Sequence, residues 1–236
     1  EVNSETDFVA KNQTFQDFVA LVAKQALTTT AADLDAFLAE KWNADESKTV
    51  QDELASQVAV IGENLKIRRF ARVEENNGFV ASYIHMGGKI GVIAEVNCET
   101  DFVAKTDAFK EFAQNIAMHI AAENPKYVTR EEVPQAELDH EREVLIAQAK
   151  NEGKPDNIVE KMVEGRLKKF YAEVCLLDQV YIRAENNETI ETYVKEAIAQ
   201  FGENIKVRRF VRFEMGEGLE KRVDDFAAEV AAQAGV

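Results

Sequence analysis

The sequence predicts an α+β fold: two repeated subdomains of helices with small antiparallel sheets, plus an inserted antiparallel helical hairpin and a C-terminal helix. Three observations carry this reading. A heptapeptide is duplicated, Thr6-Asp7-Phe8-Val9-Ala10-Lys11-Asn12 returning as Thr100-Asp101-Phe102-Val103-Ala104-Lys105-Thr106, so that Asp7 and Asp101 stand 94 residues apart. A second pair, Gly62-Glu63-Asn64-Leu65-Lys66-Ile67-Arg68-Arg69-Phe70 and Gly202-Glu203-Asn204-Ile205-Lys206-Val207-Arg208-Arg209-Phe210, stands 140 residues apart. The 46 residues by which the offsets differ lie inside the second repeat and read as two amphipathic helices around a turn containing Gly and Pro. The expected boundaries are 1–88 for the first core subdomain, 89–133 and 177–214 for the second, 134–176 for the hairpin and 215–236 for a C-terminal helical module.

At the start, Glu1-Val2-Asn3 corresponds to the end of a full strand before the second heptapeptide, Gly91-Val92-Ile93-Ala94-Glu95-Val96-Asn97, so the chain looks cut in mid-strand. Thr6 fits a helix N-cap, with Asp7 in the first turn where its charge complements the helix dipole. The resulting corner either holds Phe8 outward at a sharp tip or, led by Val9 and Ala10, draws it inward as a core phenylalanine. Asn12 or Thr14 caps a helix with Phe15, Phe18, Val19, Val22 and Ala26 on one face, ended by Thr28-Thr29-Thr30. A short helix through Leu34, Phe37 and Leu38 follows, then one from Val50 through Leu54, Val58 and Ile61, closed by Gly62. Next comes a meander of strands over 65–74, 79–85 and 89–97, with Asn77-Gly78 and Gly87-Gly88 as its turns. The helix after the second heptapeptide carries Phe109, Phe112, Ile116 and Ile120 and stops near Asn124-Pro125.

In the insertion, residues 134–150 carry Leu138, Leu145, Ile146 and Ala149. Residues 157–176 carry Ile158, Met162, Val163, Leu167, Phe170 and Val174, and Asn151-Glu152-Gly153-Lys154-Pro155 turns between the two. The hairpin is either a bundle arm packed on the core or a projecting docking arm. Residues 179–184 then read as a strand, 190–200 as a helix closed by Gly202, and 205–214 as the strand matching the first repeat. Residues 219–234 are amphipathic through Val223, Phe226, Ala227, Val230 and Ala231, and Asp224-Asp225-Phe226-Ala227 echoes the heptapeptide faintly, as packing.

A formal charge of −15, from 43 Asp and Glu against 28 Lys and Arg, opposes phosphate contacts, so direct binding to nucleic acid is not expected. The basic strings at 66–72 and 206–212 read as strand faces paired with acidic neighbours. Cys98 and Cys175 stand far apart without a Cys-x-x-Cys pair, which fits a reducing compartment. No apolar run approaches membrane-spanning length, and a soluble protein without a membrane partner is expected. His85, His119 and His140 share no metal-ligand spacing; His119 reads as a satisfied core residue and His140 as solvated. With no phosphate-binding glycine loop, no Gly-x-Ser-x-Gly and no Cys with an evident His partner, neither a cofactor nor a catalytic residue is expected. The residues describe an interaction protein with a repeated acidic-aromatic tip.

The Glu-Val-Asn-x-Glu-Thr-Asp-Phe-Val-Ala-Lys string, His119-Ile120-Ala121-Ala122, Glu152-Gly153-Lys154-Pro155, Met162-Val163-Glu164-Gly165-Arg166 and Arg212-Phe213-Glu214-Met215-Gly216-Glu217-Gly218 resemble the bacterial-type translation elongation factor Ts family across essentially the whole chain. Family members normally begin with a small ubiquitin-associated-like helical domain that is absent from this sequence. The resemblance implies guanine-nucleotide exchange on the GTPase elongation factor Tu, without catalytic side-chain chemistry, in the cytoplasm or an organelle matrix. It implies that Thr6, Asp7, Phe8 and Val9 enter the partner's GTP-binding domain and disturb its magnesium and phosphate site, with His85 in support. Asp7 would make polar contacts, Phe8 would wedge between partner helices, and Thr6 and Val9 would fix the tip. The second half would grip the partner's third domain, and the C-terminal helix would return to the GTP-binding domain. The hairpin resembles the family's dimerisation or coiled-coil module, which implies a homodimer; the alternative function is a structural or dimerisation module without exchange activity. The family's order assigns the exchange tip to Phe8, and Phe102 is expected to lie buried, with Thr100 and Asp101 retained for helix capping.

Overall fold

Outside the inserted hairpin, where each α-helix begins is set by a side chain that takes up one of its first unpaired amides. The computed structural model describes residues 1–219, apart from the side chain of Asn157, so the amphipathic stretch predicted over 219–234 falls, beyond Leu219, outside the described residues. In the first body, Asn12 accepts from the Thr14 amide to start α2 (Gln13–Thr28), and Asp33 accepts from Ala36 to start α3 (Leu34–Ala39). Thr49 and Asp52 form a capping box on α4 (Val50–Ile61), which ends at Gly62 in the left-handed region, φ 80°. Phe15, Phe18, Val22, Phe37, Val50, Leu54, Leu65 and Ile67 close one core among these helices. Trp42 joins it from a small hairpin, β2 (Lys41–Trp42) and β3 (Asp45–Thr49), whose polar strand carries no alternation that sequence reading detects. Buried Gln25 ties that hairpin to α2, donating to the Lys41 carbonyl and accepting from the Asn43 amide.

The second body is a three-stranded antiparallel sheet in the order β5 (Gly78–His85), β6 (Ile90–Asn97), β7 (Lys206–Glu214). Val92, Ala94 and Val96 alternate onto one face of β6 and meet Phe109, Phe112, Ile116 and Ile120 of α6 (Asp107–Glu123). Helix α9 (Ile190–Phe201) completes this core with Ile190, Val194 and Ala197.

The predicted meander is not what forms. Residues 65–74 yield only β4 (Lys66–Ile67), which pairs with β1 (Val2–Asn3), and 68–77 run irregularly. Asn77-Gly78 is therefore no hairpin turn: Gly78 opens β5, and the 79–85 strand grouped with residues 1–88 is hydrogen-bonded along its length to β6. The reason is partner length. β4 meets two paired residues in β1, whereas its repeat counterpart β7 meets all of β6, from Ile90↔Glu214 to Asn97↔Lys206, and stays extended for nine residues. The strand predicted over 179–184 is likewise absent, reduced to one bridge between Val180 and Thr189 after a 3-10 turn at Leu176–Asp178.

The insertion forms α7 (Gln135–Asn151) and α8 (Asp156–Val174). Leu145, Ala149, Val159, Val163 and Leu167 bury against one another, so the apolar seam is closed within the arm. Only its base joins the body, through Val133, Val174 and Cys175 with Tyr127, and through the Lys126 and Tyr127 amides donating to the Val174 carbonyl. Among the described residues no helix is long and apolar enough to cross a membrane.

His119, on α6, is the buried and satisfied core residue that its apolar surroundings predict. Its Nε2 lies 3.0 Å from Gln179 Oε1, and its Nδ1 accepts from the Ile182 amide, which fixes a neutral ring. Burial pulls its pKa below the ordinary value, against the opposing hydrogen bond that Nε2–H donates to Gln179. The unfolded chain then binds this proton first, so stability is complete above about pH 6.5 and declines as pH falls from there toward the depressed folded value. Urea midpoints between pH 8 and 5.5 should show that acid-side slope, and His119→Gln should flatten it. Two glycines separate packing from propensity. A Cβ at Gly78 would sit 2.3 Å from the Val96 carbonyl oxygen, whereas one at Gly165, exposed inside α8, meets nothing within 4 Å. Thermal melts should show Gly78→Ala losing about 1–3 kcal/mol and Gly165→Ala gaining up to about 1 kcal/mol.

Candidate functional site: two braced aromatic tips

The first heptapeptide folds as a corner. Thr6 is extended, φ −124° and ψ 149°, and its hydroxyl accepts from the Val9 amide to start α1 (Asp7–Ala10). Val9 turns into the core at 6% exposure, which points Phe8, the residue before it, outward at 82%. Four residues of helix cannot hold themselves in this shape. The brace comes from Glu63, whose carboxylate accepts from the Glu5 amide at 3.2 Å, the Thr6 amide at 3.1 Å and the Thr6 hydroxyl at 2.5 Å. Gly62, in its left-handed conformation at the end of α4, turns the chain so that Glu63 follows at this position.

The two duplicated words are thus one device in contact. The second copy repeats it: Thr100 has φ −123° and ψ 149°, its hydroxyl accepts from the Val103 amide, and Glu203 accepts from the Glu99 amide, the Thr100 amide and the Thr100 hydroxyl. This overturns the expectation that Phe102 is buried. In α5 (Asp101–Ala104) the inward positions belong to Val103 and Ala104, and Phe102 stands 77% exposed.

The acidic residues of the two tips have different neighbours. Asp101 is bound by Lys105 one turn on, at 2.5 Å, a hydrogen bond that holds its carboxyl below the usual range. Asp7 instead faces Lys89, 3.7 Å away on the far side of the Gly87-Gly88 turn. That contact sets the end of the β5–β6 hairpin beside the first tip. His85 lies there, exposed, its Nδ1 3.1 Å from the Tyr83 hydroxyl and its ring stacked on Tyr83 at 5.8 Å. Ile84 and Met86, 66% and 63% exposed, add apolar surface to the same hairpin end. Of the predicted residues, Asp7, Phe8 and His85 are presented outward, while Val9 anchors the tip and Thr6 locks it.

Sequence reading missed Glu63, Glu203 and Lys89. The signal for the two glutamates was the duplicated Gly-Glu-Asn, but its distance from the heptapeptide differs between repeats and conceals the contact. The basic strings do meet acidic neighbours: Arg68 and Arg69 bind Glu1, Arg69 also binds Glu217 and lies 4.2 Å over Phe213, and Arg209 binds Glu95. Through Arg69, the chain just after β4 is tied to the end of β7 and the turn that follows it. Among the described residues no group of three or more His, Cys, Asp or Glu could hold a metal ion.

The model of the family described as elongation factor TS matches residues 5–217. The chain is 47% identical over its full length to the elongation factor Ts of Trichlorobacter lovleyi, covering 76% of that protein. It is 48% identical over 99% of its length to that of Clostridium tetani, covering 75% of it. To that of Carboxydothermus hydrogenoformans it is 56% identical over 82% of its length, covering 86% of that protein.

If Glu63 is the brace, Glu63→Ala should release the corner while leaving the core intact. Loss of charge-assisted bonds worth about 1.5–3 kcal/mol should speed hydrogen exchange at the Glu5 and Thr6 amides by about 10- to 100-fold. The melting temperature should change little, and Glu203→Ala should act in the same way on Glu99 and Thr100 alone.

Proposed function

The chain belongs to the elongation factor Ts family, and we propose that it speeds GDP release from elongation factor Tu by seating the Thr6–Val9 tip near the GTPase's magnesium and phosphate site. Membership carries the general activity, nucleotide exchange on elongation factor Tu. The route through particular residues is our reading, and one observation supports it above others: a phenylalanine 82% exposed on a corner that three hydrogen bonds to Glu63 hold in place. An exposed aromatic costs nothing to desolvate from within its own fold and gains on entering an apolar crevice.

Exchange breaks no covalent bond, so the protein needs no nucleophile and no general base. It needs to bind the nucleotide-free partner more tightly than the nucleotide-bound one, and the coupling is reciprocal: nucleotide loosens the exchange factor as much as the exchange factor loosens nucleotide. In this scheme Phe8 wedges open the partner's surface, and Asp7 exchanges Lys89 for polar groups of the partner. Val9 and Thr6 keep the wedge from collapsing. His85, with Ile84 and Met86, supports the tip from the adjoining hairpin end. Burying Phe8 contributes about 1.5–3 kcal/mol, equivalent to one to two decades of coupling. The remaining coupling comes from a wider interface.

Stopped-flow release of a fluorescent GDP from elongation factor Tu tests the reading. Phe8→Ala should slow the accelerated release about 10- to 100-fold with an unchanged melting temperature. A stable Phe8→Ala protein that exchanges as fast as the parent would refute the assignment.

A further inference from the structure

We propose that Lys11 is a further docking residue of the first tip, taking an acidic side chain of the GTPase beside the crevice that Phe8 enters, and that Lys89 is the positioning residue that keeps Lys11 available for it. The inference rests on the reading of the Phe8 tip and deepens it. Its ground is a difference between two corners whose words and backbone agree. Lys11 and Lys105 each stand four residues after the tip aspartate and close the short helix in nearly the same conformation, φ −91° and ψ −7° against φ −86° and ψ −13°. Asp101 takes the lysine of its own helix, Lys105. Asp7, with the same lysine on offer, pairs with Lys89 instead, and among the described residues the exposed Lys11 forms no ion pair.

Lys89 reaches Asp7 from a turn that other contacts fix. Gly87 and Gly88 take φ 65° and 97°, the Gly88 amide donates to the His85 carbonyl at 3.2 Å, and the Met215 amide donates to the Lys89 carbonyl at 2.8 Å. Two lysines therefore share one carboxylate at the first tip, which leaves a positive charge uncompensated beside Phe8; at the second tip one lysine and one carboxylate cancel. A cation at the rim of an apolar contact steers toward an anion across the interface. That anion is a carboxylate of the GTPase rather than a phosphate of its nucleotide, because a bond to the nucleotide would favour the nucleotide-bound partner, the reverse of what exchange requires. Lys105 would first have to give up Asp101, so charge separates two tips that are alike in shape.

Association of the intact chain with nucleotide-free elongation factor Tu, followed by stopped flow from low to high salt, tests both roles. Lys11→Met should associate about 3- to 10-fold more slowly than the parent at low salt, and the difference should close as salt screens it. Lys105→Met should match the parent throughout. Lys89→Met, in which Asp7 falls back on Lys11 as Asp101 does on Lys105, should lose about 2- to 5-fold. Lys89→Arg should keep the parent rate, and Lys89→Met should cost nothing further in a Lys11→Met chain. Melting temperatures should not move, since both lysines are exposed. A Lys11→Met chain that matches the parent at every salt, beside a Phe8→Ala chain slow in exchange, would overturn the lysine and leave the tip standing. A Phe8→Ala chain that exchanges normally would overturn the reading beneath it. Additive losses in the double variant would overturn the positioning role of Lys89, and a Lys11→Met defect seen only with GDP bound would overturn the carboxylate.

Discussion

A carboxylate that accepts three hydrogen bonds from the chain just before a four-residue helix is the constraint on which each working corner depends. Without an acceptor, the amides of Glu5 and Thr6 would turn to water and the helix after them would fray, because a single turn gains too few bonds to offset the order it imposes. Glu63 can serve only because the residue before it sits in the left-handed region, and Gly62 adopts that conformation without strain. Gly62 in turn is placed by α4, whose start is fixed by the Thr49–Asp52 box and whose inner face is held by Val50 and Leu54. The rigidity of an exposed ring is thus traced back, step by step, to a buried helix face. The same dependency runs from Ile190 and Val194 through Gly202 and Glu203 to Thr100.

The helices were legible in the sequence to within a residue or two, because period and caps are local. Thr6 and Asn12 announce starts, and Gly62 and Gly202 announce ends. Strands were less legible, since a strand exists only where a partner lies beside it. Residues 65–74 and 205–214 share nearly the same words, yet one makes two residues of strand and the other nine. Nothing in the words themselves distinguishes them; the length of the neighbouring strand does. At the tips, capping by Thr6 and Thr100 could be read, but whether the phenylalanine turned inward could not, because two apolar residues follow it and either face of so short a helix could have been the buried one. Val9 and Val103 decide it by filling the core, and the expectation for Phe102 failed there.

The two halves also show how one vocabulary is put to different uses. In the first half, Arg68 and Arg69 reach Glu1 and the carboxyl of Glu217, so that basic side chains hold two bodies together. In the second, Arg208 and Arg209 converge on Glu95, 1% exposed, and neutralise a charge that the sheet would otherwise bury alone. The arginines of the two basic strings are mostly occupied by the protein's own carboxylates, the acidic neighbours that the sequence pattern called for.

The arm of α7 and α8 buries its apolar seam against itself and meets the body only at its base, where Arg130 pairs with Asp178 and lies 4.9 Å over Tyr171. An appendage of this kind is mechanically and evolutionarily decoupled from what carries it. Turns can be added to or deleted from both helices in matched steps without disturbing a core side chain, so length becomes a heritable variable that selection can tune independently of folding.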